Sequence, residues 1–124
     1  MSEIKTFVDN QKDLTIHKVS GDLTSQEILE RLAYCFQHEP TSMILWDCSN
    51  ASWAGIKRDE LRDTVAGVKK YTKKGDKMAL VFSRDVDFGI GRMFGAFAEM
   101  GGYDSEFGSF KKMEEADKWL GVRK

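Results

Sequence analysis

The sequence predicts a single small α/β domain spanning residues 1–124, in the order ββαβαβαβα, with a mostly parallel central sheet covered by helices. Three observations predict it. Met43-Ile44-Leu45-Trp46 and Met78-Ala79-Leu80-Val81-Phe82 are continuous apolar runs, the pattern of strands buried on both faces. The segments between and after them carry apolar residues at helical spacing. Strands separated by helices pair in parallel through right-handed crossovers.

Each element follows from its own residues. Ile4 to Val8 and Leu14 to Ser20 read as two strands around the turn Asp9-Asn10-Gln11-Lys12-Asp13, and Gly21 ends this hairpin. Leu23-Thr24-Ser25-Gln26-Glu27-Ile28 opens a helix. Thr24 can cap the Glu27 amide while Glu27 reaches back, and Leu23 and Ile28 stand at the positions of a hydrophobic staple. Ile28, Leu29, Leu32, Ala33 and Phe36 form its inner stripe, and Pro40 closes it. The strand Met43 to Asp47 then runs into the loop Cys48-Ser49-Asn50-Ala51-Ser52-Trp53. A second helix spans about 57–73, with Leu61, Val65 and Val68 inward and Lys74-Gly75-Asp76 as its stop. After the strand ending at Phe82, a third helix runs from Phe88 to Met100 and ends at Gly101-Gly102. A short strand, Ser105 to Phe110, and a last helix, Met113 to Leu120, complete the order.

Composition narrows the function. The chain has 124 residues with 19 Lys+Arg against 20 Asp+Glu, so no global charge draws it to nucleic acid. No stretch approaches transmembrane length, and no secretory leader is read at Met1-Ser2-Glu3-Ile4-Lys5. Cys35 and Cys48 belong to no CxxC and no Cys/His ligand set, and are expected as reduced, buried thiols of a cytoplasmic protein.

Four places together resemble a known family: the strand Ile44-Leu45-Trp46-Asp47 with its following loop, the strand Lys77 to Phe82, the segment Phe88-Gly89-Ile90-Gly91-Arg92-Met93-Phe94, and the closing run Phe110 to Leu120 with Ala116 and Trp119-Leu120. Their order resembles the SpoIIAA-like branch of the STAS superfamily, also described as STAS/Sec14-like domains. The resemblance covers nearly the whole chain and implies a small regulatory binding domain. The family's regulatory members carry an Asp-Ser pair, phosphorylated on the serine, at the start of the helix after the central strand. Gly55-Ile56 stand there in this chain and neither accepts a phosphate. Ser49 and Ser52 come earlier, so the phosphoserine switch does not carry over.

The carboxyl ends of the central strands are where open α/β sheets place their working surface. The candidate site is therefore Asp47, Ser49, Ser52 and Trp53 on one lip and Ser83, Arg84 and Asp85 on the other, with Arg92 at the head of helix three. Asp47 and Asp85 could form a carboxylate pair for metal or acid–base work, or could each fix a loop amide. Gly89-x-Gly91-x-x-x-Gly95 lacks the spacing of a dinucleotide loop, and no cofactor is expected. His17 and His38 are not placed to serve Cys48 as a base, and no catalytic constellation emerges. The lysines and arginines of helix two read as a solvated face, with an anionic-surface patch as the alternative.

Helix three is apolar over a wide arc from Phe88 through Met93, Phe94, Phe97 and Met100, more than one covering stripe needs. Either this surplus is a thick core, or it faces a partner, a second copy or an apolar ligand. The expected function is a non-enzymatic cytoplasmic interaction module in which Trp53 and Phe94 supply apolar contact to a protein partner or in a homodimer. The alternative is a carrier of a lipid or other small apolar ligand, held under helix three by Met93, Phe94 and Phe97. A small enzyme using Asp47 or Asp85 is the third reading.

Overall fold

A computed structural model describes residues 2–38, 40–102 and 105–121. Met1, part of the amino terminus considered above, lies outside them. The chain opens with the expected hairpin. Strand β1 (Glu3–Asp9) pairs antiparallel with β2 (Leu14–Asp22), from Glu3 opposite Ser20 to Asp9 opposite Leu14. The Asp9 carboxylate accepts the amides of Gln11 and Lys12 at 3.1 and 3.2 Å and so builds the turn. Asp13 completes it in the left-handed region at φ 55°, a conformation that aspartate tolerates better than most residues.

Helix α1 (Ser25–His38) begins with the reciprocal cap read from the sequence. Thr24 Oγ1 accepts the Glu27 amide at 3.2 Å, and Glu27 Oε1 accepts the Thr24 amide at 3.1 Å. Leu23 and Ile28, flanking the cap, are both buried in one core. Strand β3 (Met43–Ser52) is longer than the sequence indicates. Its first half pairs with both neighbours, but after Cys48 the ladder to β4 stops while that to β2 continues. A bulge at Cys48-Ser49 of β3, two residues opposite the single Val19 of β2, realigns the two strands, and Asn50, Ala51 and Ser52 then lie opposite Ser20, Gly21 and Asp22. Ser49 and Ser52 are therefore strand residues and not loop residues, Ser49 within the bulge and Ser52 in the ladder that β2 extends past its expected end.

Helix α2 (Arg58–Val68) is followed by a 3-10 turn, Lys69–Tyr71, and the chain is extended at Thr72, so regular α-helix ends earlier than expected. Strand β4 (Lys77–Phe82) leads to α3 (Asp85–Met100), which starts three residues before Phe88. Asp85 and Asp87 lie in its first turn, where carboxylates face the positive end of the helix dipole. Strand β5 (Glu106–Phe110) and helix α4 (Met113–Leu120) complete the order, and Gly121 closes α4 at φ 79°.

The molecule is a small α/β domain with one five-stranded sheet in the order β1-β2-β3-β4-β5, parallel except for β1. Laying each new parallel strand beside the last in one direction, with crossovers of one hand, puts α1, α2 and α3 on the same face. They bury Trp46, Cys48, Leu80 and Phe82 of the sheet beneath Ile28, Leu32, Leu61, Val65, Phe94 and Ala98. Among the described residues helix α4 alone packs on the other face, where Ala116 and Leu120 meet Leu45, Ala79 and Val81. Helical cover is thus complete on one face only. On the α4 side the β1–β2 half of the sheet stays open, and Phe7 is 52% exposed there. Among the described residues no helix is long and apolar enough to cross a membrane.

Candidate functional site

The carboxyl edge of the sheet is knitted by hydrogen bonds between the β3 and β4 ends. Asp47 Oδ1 accepts both the amide and the hydroxyl of Ser49, at 3.2 and 2.7 Å. The Ser83 hydroxyl donates to the Ser49 carbonyl, tying the end of β4 to β3. Arg84 donates from Nη2 to Ser52 Oγ at 2.6 Å and from Nε to Asp87 Oδ2 at 2.7 Å. The other oxygen of Asp87 accepts the Trp53 amide at 2.9 Å. Ser52 Oγ also accepts the Ala54 amide at 3.2 Å. One arginine and one buried carboxylate therefore join the chain after β3 to the first turn of α3. The hydrogen bond to Asp87, with its charge beside it, holds the Arg84 guanidinium above its ordinary pKa.

Asp85 points away from this network and pairs with Lys111, whose ammonium also lies 5.6 Å from the Phe88 ring centroid. Asp47 and Asp85 thus each have their own partner: a strand-end hydroxyl and amide for one, a lysine for the other. Among the described residues no group of three or more His, Cys, Asp and Glu side chains could hold a metal ion.

The apolar members of the sequence-derived site separate. Trp53 and Phe94, expected to offer apolar contact, are each 1% exposed. Trp53 meets Phe82 edge-on at 5.2 Å and Phe94 at 5.9 Å, and Phe94 continues the cluster to Phe107 at 5.5 Å. This corrects their assignment as contact residues, because α3 turns Phe94 into the sheet and Asp87 draws the Trp53 backbone down beside it. Met93 faces outward, and Phe97 is half-buried. Phe97 lines a shallow apolar groove between α2 and α3 with Val65, Ala66 and Met100, rimmed by Arg62 and Lys69. Arg92 does not join the carboxyl-edge network. It lies 6.0 Å from the Phe88 ring and lines a groove between α3 and β5 with Gly95, Glu99 and Phe107.

What the edge does present is a trough on the α4 side. Asp47, Ser49 and Lys18 form its rim with Lys111 and Asp117, over a floor of Ile16, Leu45 and Val81. It combines an apolar floor with charges of both signs.

Two buried titratable groups lie close to this edge without serving it. Burial pushes the Cys48 thiol up to about 12, and the charges of Asp47 and Asp87 add to the rise. Such a thiol is no nucleophile at neutral pH. His17, fully buried, is held down to about 3, by burial first and then by the charge of Arg31. Its Nδ1 meets Thr6 Oγ1 at 2.9 Å, and its ring lies 4.3 Å from that of Trp46. His38 caps the far end of α1 with Nδ1 2.8 Å from the Tyr34 carbonyl.

Asp87 is the residue that the sequence reading missed. The available signal was its spacing: an arginine three residues before an aspartate at a helix start places both on one side of the first turn. Gly55 is exposed and Ile56 buried, and the Lys57 amide that begins the following helix is accepted by Glu60 at 3.0 Å. No hydroxyl occupies that helix start. No protein-family model and no curated protein sequence matches the chain.

Proposed function

We propose that the chain is a non-enzymatic binding and regulatory module of STAS-like fold, without a phosphoserine switch, that engages a protein partner or a second copy of itself through its carboxyl edge in the cytoplasm. The observation that carries this reading is that Asp47, Asp85 and Asp87, the carboxylates nearest the β3 and β4 ends, are each engaged by groups of the chain itself. Asp47 holds Ser49, Asp85 holds Lys111, and Asp87 holds Trp53 and Arg84. A general acid or base needs a free position within reach of its substrate. These carboxylates instead stiffen the end of β3 and the first turn of α3, and a stiff edge loses little conformational freedom on binding. The STAS-like element order supports the same reading.

The test is quantitative affinity purification from the native source with the intact chain and two surface variants, Asp47→Lys and Lys111→Glu. Partners bound through the edge are lost from both variants while the folded spectrum is kept. If everything captured by the natural chain is captured equally by both variants, the edge is not the recognition surface.

The apolar groove between α2 and α3 favours a second reading, a carrier of a lipid or other small apolar ligand. Native mass spectrometry of freshly purified protein separates the two. Extra mass of a co-purified ligand supports the carrier, and bare chain or bare dimer supports the module.

A further inference from the structure

A cleft of about 240 Å³ opens at the opposite, amino-terminal edge of the sheet, where the sequence reading placed nothing. Its apolar walls are Phe36 of α1, Tyr71 of the 3-10 turn and Ile44 of β3. The rings of Phe36 and Tyr71 pack against one another at 5.8 Å and 59°, and both line the cleft. The polar rim carries Asp13, Asp76 and Lys73.

The rim is organised around negative charge. The Asp13 carboxylate is fixed by the Ser42 amide at 3.1 Å and by the Ser42 hydroxyl. Asp76 accepts the Lys73 amide at 2.9 Å. Partial burial raises the Asp76 pKa, the Lys73 amide and charge oppose the rise, and the Asp13 charge adds to it, so the cleft's two carboxylates and its lysine act on one another. The carbonyl end of α1 comes to the same edge and adds its partial negative charge. Against these stands one lysine, and its position is informative: the Lys73 ammonium lies 5.7 Å from the centroid of the Phe36 ring. An aromatic face in this cleft already receives a cation.

Aromatic faces beneath a negative rim are the chemistry that recognises organic ammonium groups. An anion would meet both carboxylates, and a wholly apolar ligand would leave them unpaired. The cleft is small for a ligand site, which limits the occupant to a compact head with a short arm. We propose that this amino-edge cleft binds a small organic ammonium of the choline type, its head on the Phe36 and Tyr71 rings beside the Asp13 and Asp76 carboxylates, in competition with the Lys73 ammonium for the Phe36 face. The site is independent of the carboxyl edge and of the function proposed for it.

The test is an amide-resolved NMR titration of the whole chain with choline and with its neutral carbon isostere, dimethylbutanol, at constant ionic strength. Choline gives saturable shifts centred on Phe36, Ile44 and Tyr71, leaves the Trp53 region unmoved, and binds about tenfold or more tightly than the isostere. Asp76→Asn and Tyr71→Leu each weaken choline by about three- to tenfold, and Lys73→Met, which removes the competing cation, strengthens it. The proposal is overturned if the isostere binds as well as choline, if no saturation appears in the millimolar range, if the shifts scatter over surface carboxylates, or if Lys73→Met weakens binding. The choline–isostere comparison needs no variant, so it decides the matter even if a substitution disturbs the fold.

Discussion

The buried carboxylate of Asp87 accepts the backbone amide of Trp53 at 2.9 Å, 34 residues earlier in the chain, and so fixes where β3 gives way to the segment leading into α2. Its second oxygen accepts Arg84 at 2.7 Å. Asp87→Ala leaves a buried amide without an acceptor, and a loss of about 2–4 kcal/mol is expected from urea denaturation. Asp87→Asn keeps an acceptor for the amide and costs less. Arg84→Ala, removing a partner that is largely exposed, costs much less than Asp87→Ala. Equal losses for Asp87→Ala and Arg84→Ala would show that the hydrogen bond donated by the Trp53 amide contributes nothing.

His17 makes stability depend on pH. Its folded pKa is lowered from 6.5 to about 3 by burial and then by Arg31. The folded state therefore refuses a proton that the unfolded chain accepts below pH 6.5. Stability is fully present above that value and falls as the pH drops toward the folded pKa, by up to about 1.4 kcal/mol per pH unit. Denaturant midpoints between pH 7.5 and pH 4 measure this. His17→Gln flattens the decline, though it lowers stability at neutral pH; an undiminished decline in that variant would assign the acid sensitivity to the carboxylates.

Cys48 is wholly buried with its pKa pushed up to about 12, first by burial. Its alkylation by iodoacetamide is expected only through unfolding, with a rate that follows global stability across a urea series. Peptide mapping after pulsed labelling reads this directly. Rapid labelling of Cys48 in the folded protein would mean that the α2–α3 layer opens locally.

Two glycines of α3 answer the same substitution in opposite ways. A Cβ on Gly91 would lie 2.4 Å from the Phe82 ring and 2.7 Å from Ser109 Oγ, so α3 sits on β4 and β5 at a separation only glycine allows. Gly91→Ala is expected to destabilise by about 1–3 kcal/mol despite its better helix propensity. Gly89 is exposed and its Cβ would meet nothing within 4 Å, so Gly89→Ala stabilises by about 0.5–1 kcal/mol. Thermal or urea melts of the pair check both signs.

Most of the architecture was legible because it rests on local periodicity. The apolar runs through Trp46 and Leu80 became adjacent parallel strands, and the Thr24–Glu27 cap formed as its spacing required. The carboxyl-edge lip was legible in part. Asp47 with Ser49, and Ser52 with Arg84, do meet, because strand ends of one sheet converge. Trp53, Phe94 and Arg92 did not join them as a surface.

The chain's own residue pattern determined the order and kind of its elements, since each depends on the spacing of apolar side chains within about twenty residues. It could not determine which way the wide apolar arc of α3 would turn. That was decided when β4 and β5 took the Gly91 side of the helix and Phe94 followed into the core beside Trp53. Nor did it bring Phe36 to Tyr71 or Asp13 to Asp76, pairs separated widely along the chain and gathered only by the sheet's amino edge. Burial and the meeting of distant charges depend on how layers stack. Stacking is a property of the assembled sheet and its helices, and no single segment encodes it.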